Sequence, residues 1–268
     1  MSREPAIEDL GGLWRRSLMA WPDGRLDTTS WVNWLQGPSF YIDLRQPLGR
    51  PDFRGVTSLD GLTRAQIEWL AGQEGFAGEL TYLDGTFEWH REVDFQVKAA
   101  DPDQGRLRLE GDMMVEEGMG EGGLGEEGLG GRYIEHWHRE GTAPGPACAL
   151  RFEDRASGCQ GFIMRRGDVF MYARGRSTAV SATLDLHEHV TKAPSLAAAQ
   201  DLIELKMKPA LDSTARFGLV TLRRRTEAPA LPIPRKLLQE LRHDCALVSF
   251  SRAPRAIVPA RLGGAGVA

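Results

Sequence analysis

Apolar and polar side chains alternate with a period of two through much of the first half of the chain, the pattern of strands with one buried face. The clearest case is TTSWVNWLQ followed by SFYIDLRQ, joined at Gly37-Pro38. Glycine at the first central position of a two-residue turn predicts a type II′ hairpin that sets Gln36 opposite Ser39. Trp31, Asn33, Leu35, Phe40, Ile42 and Leu44 then share one face, and Val32, Trp34, Gln36, Tyr41, Asp43 and Arg45 share the other. The first face reads as core and the second is aromatic and charged, so either can turn into a barrel.

The period changes at LTRAQIEWLAGQE, where Leu62, Ile67, Trp69 and Leu70 predict one short amphipathic helix ended by Gly75. Strands return in ELTYLDGTFEWHREVDFQV, with a turn at Asp84-Gly85 and with Phe87, Trp89, Val93, Phe95 and Val97 alternating against Glu88, His90, Glu92 and Asp94. RLRLEGDMMVEEG and RYIEHWHRE read as further antiparallel partners, and the acidic, glycine-dense residues 117–131 between them read as a flexible loop. GTAPGPA, residues 141–147, is the best internal boundary. Beyond it, ACALRFED opens a second half. CQGFIMRRGDVFMYARGR predicts a hairpin turning at Gly167-Asp168 with Phe162, Met164, Val169 and Met171 as its apolar face, and SLAAAQDLIELKMK a helix capped by Ser195. ARFGLVTLRRR, the helix RKLLQELR and the strand CALVSFS complete it, before a tail over 257–268 that reads as disordered.

The order hairpin, helix, strands thus occurs twice. It predicts a mainly β protein of two antiparallel barrels or half-barrels, each with one or two short helices, over residues 1–143 and 144–256. A chain of 268 residues, 41% hydrophobic, is long enough to bury such cores. The net charge of −4 gives no broad attraction to nucleic acid or to an anionic membrane, so neither is expected as a partner. The acidic start MSREPAIEDLGG lacks the pattern of a signal peptide, and no long apolar run occurs, so a cytoplasmic protein is expected. Cys148, Cys159 and Cys245 form no paired motif and read as buried, reduced thiols.

Three places carry a family resemblance: the strand ending Tyr41-Ile-Asp-Leu-Arg45, the E-x-W strand Glu135-His-Trp137, and the hairpin from Gly161-Phe-Ile-Met to Tyr172. In these the chain resembles a two-lobed, lipocalin-like family that includes a yeast casein-kinase-associated protein of poorly defined function. The resemblance implies calycin-type β-barrels and brings no catalytic residues to transfer.

Among candidate chemistries, the pairs His136/His138 and His187/His189 would each point to one side of a strand, as metal-binding pairs do. Neither pair has the following Glu and Gly of a cupin site, so no metal or other cofactor is expected. Cys245 lies near His243 with no third orienting group, and the glutamates of the glycine loop disfavour phosphate binding. Glu135, Trp137 and Arg139 share a strand face. Together with Trp34, Tyr41, Asp43 and Arg45 they compose a polar cavity with aromatic walls, the usual lining of a small-molecule site. Burial would raise the pKa of Glu135 or Asp43 and make either a candidate acid or base.

The functional expectation is therefore a barrel that binds a small apolar or amphipathic molecule. One alternative is a cofactor-independent isomerase, cyclase or hydrolase using a cavity carboxylate. The other is a scaffold that captures a protein partner through the acidic loop and the Arg165-Arg166 and Arg223-Arg224-Arg225 clusters.

Overall fold

A computed structural model describes residues 2–98, 101–119, 132–141, 147–154, 159–167, 169–176, 183–202, 220–224 and 246–251. In chain order its strands are β1 (Ser2–Arg3), β2 (Gly12–Ala20), β3 (Leu26–Asp27), β4 (Trp31–Gln36), β5 (Phe40–Gln46), β6 (Glu74–Leu83), β7 (Thr86–Asp94) and β8 (Asp103–Glu110). They continue with β9 (Met113–Met119), β10 (Arg132–Glu140), β11 (Ala147–Asp154), β12 (Cys159–Arg166), β13 (Val169–Arg174), β14 (Val220–Arg224) and β15 (Ala246–Ser251). Helix α1 spans Arg64–Ala71 and α2 spans Leu186–Lys192, and a 3-10 turn covers Ile7–Leu10.

Strands β2, β4, β5, β6, β7, β8, β9 and β10 pair antiparallel in that order, and β10 pairs back onto β2, closing an eight-stranded up-and-down barrel. Closure removes the free edges that an open sheet would expose. The second half supplies a five-stranded antiparallel sheet, ordered β14, β13, β12, β11, β15, in which the described residues make no closing pair. No helix among the described residues is long and apolar enough to cross a membrane.

Two apolar cores follow from the alternation. One fills the barrel, with Trp14, Trp34, Trp89 and Trp137 among Leu80, Phe87, Leu107 and Met114. The other lies on the outer face, where Leu35, Ile42, Leu44 and Val93 meet Phe162, Met164, Val169 and Met171 of the second sheet and Ile67, Leu70, Leu186 and Val190 of the two helices. The Asp84-Gly85 turn forms with positive φ at both residues, and the Gly167-Asp168 hairpin sets Arg166 opposite Val169.

Three expectations are corrected in detail. The first hairpin turns about Pro38-Ser39, with the Gly37 N–H donating to the Phe40 carbonyl at 2.8 Å and Gln36 opposite Tyr41. This shift keeps the parity, so both face assignments survive. Helix α1 ends at Ala71 with Gly72 as its cap, because Gly75 is already paired with Leu44 in the sheet. Strand β9 runs to Met119, so residues 117–119 of the expected loop belong to the ladder, while 120–131 lie outside the described residues. The helix expected at RKLLQELR and the tail 257–268 also lie outside them. Ser195 caps its helix as expected, its hydroxyl accepting from the Ala198 N–H at 3.1 Å.

Candidate functional site

Several barrel strands, β2, β5, β7, β9 and β10, carry charged residues on their inward face. At one end the inward residues are Trp14, Trp34, Leu80, Phe87, Leu107, Met114 and Trp137, all buried. Two residues from Trp14, Met114 and Trp137 stand Arg16, Glu116 and Glu135, Arg91 stands two beyond Trp89 on β7, and β5 carries Asp43 and Arg45. Period-two alternation puts residues at i and i+2 on the same side, so this layering is written directly into W-x-R, M-x-E and E-x-W spacings. The barrel is an aromatic floor under a charged upper half.

The floor is closed. Trp34 packs against Trp14, Trp89 and Trp137 with ring centroids 6.4, 5.8 and 5.8 Å apart, the last two edge-on. Beneath them the 3-10 turn seats Leu10, whose carbonyl accepts from the Trp14 indole N–H at 2.6 Å. The Arg139 guanidinium lies 4.3 Å from the Trp14 ring centroid and donates to the carbonyls of Asp9 and Gly11, each at 2.5 Å. Gly12 makes this corner with φ of 140°, a conformation that a side chain would strain.

The charged half is less completely covered at its rim. Arg45 and Arg91 keep 25% and 17% of their side chains exposed, whereas Arg16 and Glu135 keep only 5% and 2%. A groove of about 630 Å3, walled by Trp69, Gln96 and His187, reaches Glu74, Arg91 and Asp94 at this end. A second depression of about 500 Å3, beside Trp21 and Ile134, reaches Gly118 and Tyr133.

Inside, Arg16 bridges Glu135 at 2.6 Å and Asp27 at 2.7 Å. Arg45 bonds Asp43 at 3.0 Å, and Arg91 bonds Asp103 at 2.7 Å and Asp94 at 3.4 Å. Glu116 has a different environment. Its carboxyl accepts from the Trp137 indole N–H at 3.1 Å and from the Tyr133 hydroxyl at 3.2 Å, both neutral donors. Burial first, then repulsion by Glu135 and Asp103, push the Glu116 pKa well above the usual carboxylate range. Burial also raises Glu135, although Arg45 and Arg16 oppose it, and it raises Asp43 against the pull of Arg45. Burial would raise Asp27 too, but the N–H groups of Ser30 and Thr29, with Arg16, hold it well below the usual range. The Tyr41 hydroxyl is fully buried and has no hydrogen-bond partner among the described residues.

Of the residues singled out from sequence, Trp34, Tyr41, Asp43, Arg45, Glu135 and Trp137 lie together in the interior, so the aromatic and charged hairpin face is the inward one. Arg139 lies at the closed end under Trp14, away from the carboxylates of the open half. Sequence reading misses Glu116, Arg16, Arg91 and Tyr133. It assigns no strand to Gly12–Ala20, although Arg16 follows Trp14 at strand spacing.

Of the histidine pairs, His136/His138 lies on a strand as expected and His187/His189 does not. His187 and His189 lie on helix α2, where two positions apart means opposite sides, and His136 and His138 face outward on β10. Among the described residues, no three His, Cys, Asp or Glu side chains are grouped to hold a metal ion. The side chains of Cys148 and Cys159, and the whole of His243 and Cys245, lie outside the described residues.

No family model matches this chain. No curated protein matches it in sequence. Among solved structures, the chain is similar to an uncharacterized protein of Saccharomyces cerevisiae, YLR301w, at 12% identity and a TM-score of 0.41, covering 62% of this chain and 74% of that one.

Proposed function

We propose that the barrel binds one small amphipathic molecule through its open end, without transforming it. The polar part of the ligand lies among Arg45, Asp43, Glu135 and Glu116, and its apolar part rests on Trp34 and Trp137. The observation that carries this reading is the layered interior. Burying ion pairs and a protonated carboxyl costs more than packing apolar side chains of the same size, so such a layer above a complete aromatic floor points to a ligand. The eight-stranded up-and-down barrel, compatible with a calycin-like fold, and its Trp14-Arg139 closure support a binding barrel.

Tryptophan emission tests it, because Trp34 and Trp137 border the charged layer. A panel of small amphipathic molecules should include at least one that changes the emission saturably, and Glu135→Gln should weaken that response.

A second reading has its own observation. Glu116 and Glu135 are buried neighbours, one beside neutral donors and the other beside Arg16, so the first holds its proton more firmly than the second. Such a split suits an acid and a base in one site. In that case the bound molecule is converted, and Glu135→Gln lowers the rate by orders of magnitude while leaving binding in place.

A further inference from the structure

We propose that a small oxyanion of the phosphate type binds at the Gly11-Gly12 corner, between the guanidinium groups of Arg139 and Arg166. The two arginines come from different sheets, Arg139 from β10 of the barrel and Arg166 from the end of β12 in the second sheet. They converge on the glycine pair. A methyl group on Gly11 would stand 2.5 Å from Arg166 Nη2 and 2.6 Å from its Cζ, and one on Gly12 would stand 3.1 Å from Arg139 Nη1. Only a chain without side chains there allows both cations so close to the backbone.

Arg139 is partly satisfied by the carbonyls of Asp9 and Gly11. Arg166 is not: among the described residues it has no ion pair, and its Nε is buried without an acceptor. Asp9, the carboxylate that acts on Arg139, is occupied by Arg3 at 2.7 Å and by the Ala6 N–H at 3.0 Å. Burial and the neighbouring Arg139 both disfavour the charged form of Arg166. Arg166 therefore brings an unsatisfied guanidinium to a corner that Arg139 already borders, with no carboxylate bonded to both among the described residues. An oxyanion with three or more oxygens accepts from the Arg166 fork and from the N–H groups that Arg139 has left, and it cancels the repulsion. This site is at the closed end of the barrel and is independent of the ligand proposed at the open end.

Thermal unfolding of the full chain, titrated with inorganic phosphate against sodium chloride of matched ionic strength, tests the proposal. Phosphate should raise the midpoint saturably by at least about 2 °C while chloride does not. Arg166→Gln should abolish the response without lowering the midpoint in chloride, since it removes a cation that has no partner. Arg166→Lys, which keeps the charge and loses the fork, should retain a weaker response. Equal effects of phosphate and chloride would mean screening of two like charges and would overturn the site. So would a full phosphate response in Arg166→Gln, or a loss of stability in that variant in chloride.

Discussion

Glu116 on β9 and Glu135 on β10 stand directly opposite each other in the sheet, both pointing into the barrel and both buried. Like charges in directly facing positions destabilise a sheet, and here they also lie out of water. The pair is tolerable because Arg16 neutralises one member and burial pushes the other toward its uncharged form.

That arrangement fixes a pH dependence. Glu116 is raised by burial, then by Glu135 and Asp103, so the folded protein holds this proton more tightly than the unfolded chain does. Its stabilising contribution is whole below the ordinary value of 4.5 and is lost as pH rises through the higher folded value. Glu135 shifts in the same direction. Wild-type stability should therefore fall from weakly acid toward alkaline pH. Glu116→Gln should flatten that fall and be more stable than wild type at about pH 8, by roughly 1 kcal/mol. Urea unfolding midpoints measured across this range check it, and an unchanged slope in the variant would count against the assignment.

The closed end should be sensitive to the shape of the Arg139 side chain as well as to its charge. Arg139 stacks on Trp14 and donates to two carbonyls, so Arg139→Ala should cost about 2 kcal/mol. Arg139→Lys should recover less than half of that, because an ammonium lacks the planar fork. Denaturant unfolding of the two variants gives the comparison.

Trp34 touches the three other interior tryptophans, and Trp34→Ala should cost about 3–5 kcal/mol through the cavity it leaves. Trp34→Phe should cost clearly less. A small effect in either variant would mean that the floor is looser than the ring contacts imply.

Gly118 allows the Tyr133 ring to cross the ladder and reach Glu116, since a methyl group at this position would overlap that ring. Gly118→Ala should displace Tyr133, changing tyrosine fluorescence and the titration of Glu116 while the midpoint of unfolding falls only modestly. Retention of the wild-type Glu116 titration would show that the tyrosine hydroxyl has no influence on it.

The membership of the two faces of the first hairpin was legible because period-two alternation survives a register slip of two residues, as between the expected and observed pairings of Gln36, but which face turns inward was not, since a helix can cover either side of a sheet. What alternation could not convey was its own interruption. An extra residue at Glu92, opposite Ala77-Gly78, turns Val93 and Phe95 to the outer core while Phe87 and Trp89 stay inside, although all four share one parity in the sequence. The bulge depends on Gly78 in the partner strand, where a side chain would meet the His90 carbonyl. Strand β2 was obscured by paired glycines and paired arginines, yet Trp14 and Arg16 prove to be its inward residues. Glu116 was hidden in a run of glutamate and glycine, and only the Met114-x-Glu116 spacing marks it as inward. The His187/His189 pair misled because helix α2 is too short for its periodicity to stand out.

The central claim is that the open, charged half of the barrel holds a small amphipathic molecule. Native mass spectrometry of the freshly purified chain, followed by denaturation, tests it most directly. One small organic mass per chain should be released on unfolding and be depleted in Glu135→Gln. A bare polypeptide that also shows no tryptophan response to a broad panel of amphipathic compounds would contradict it.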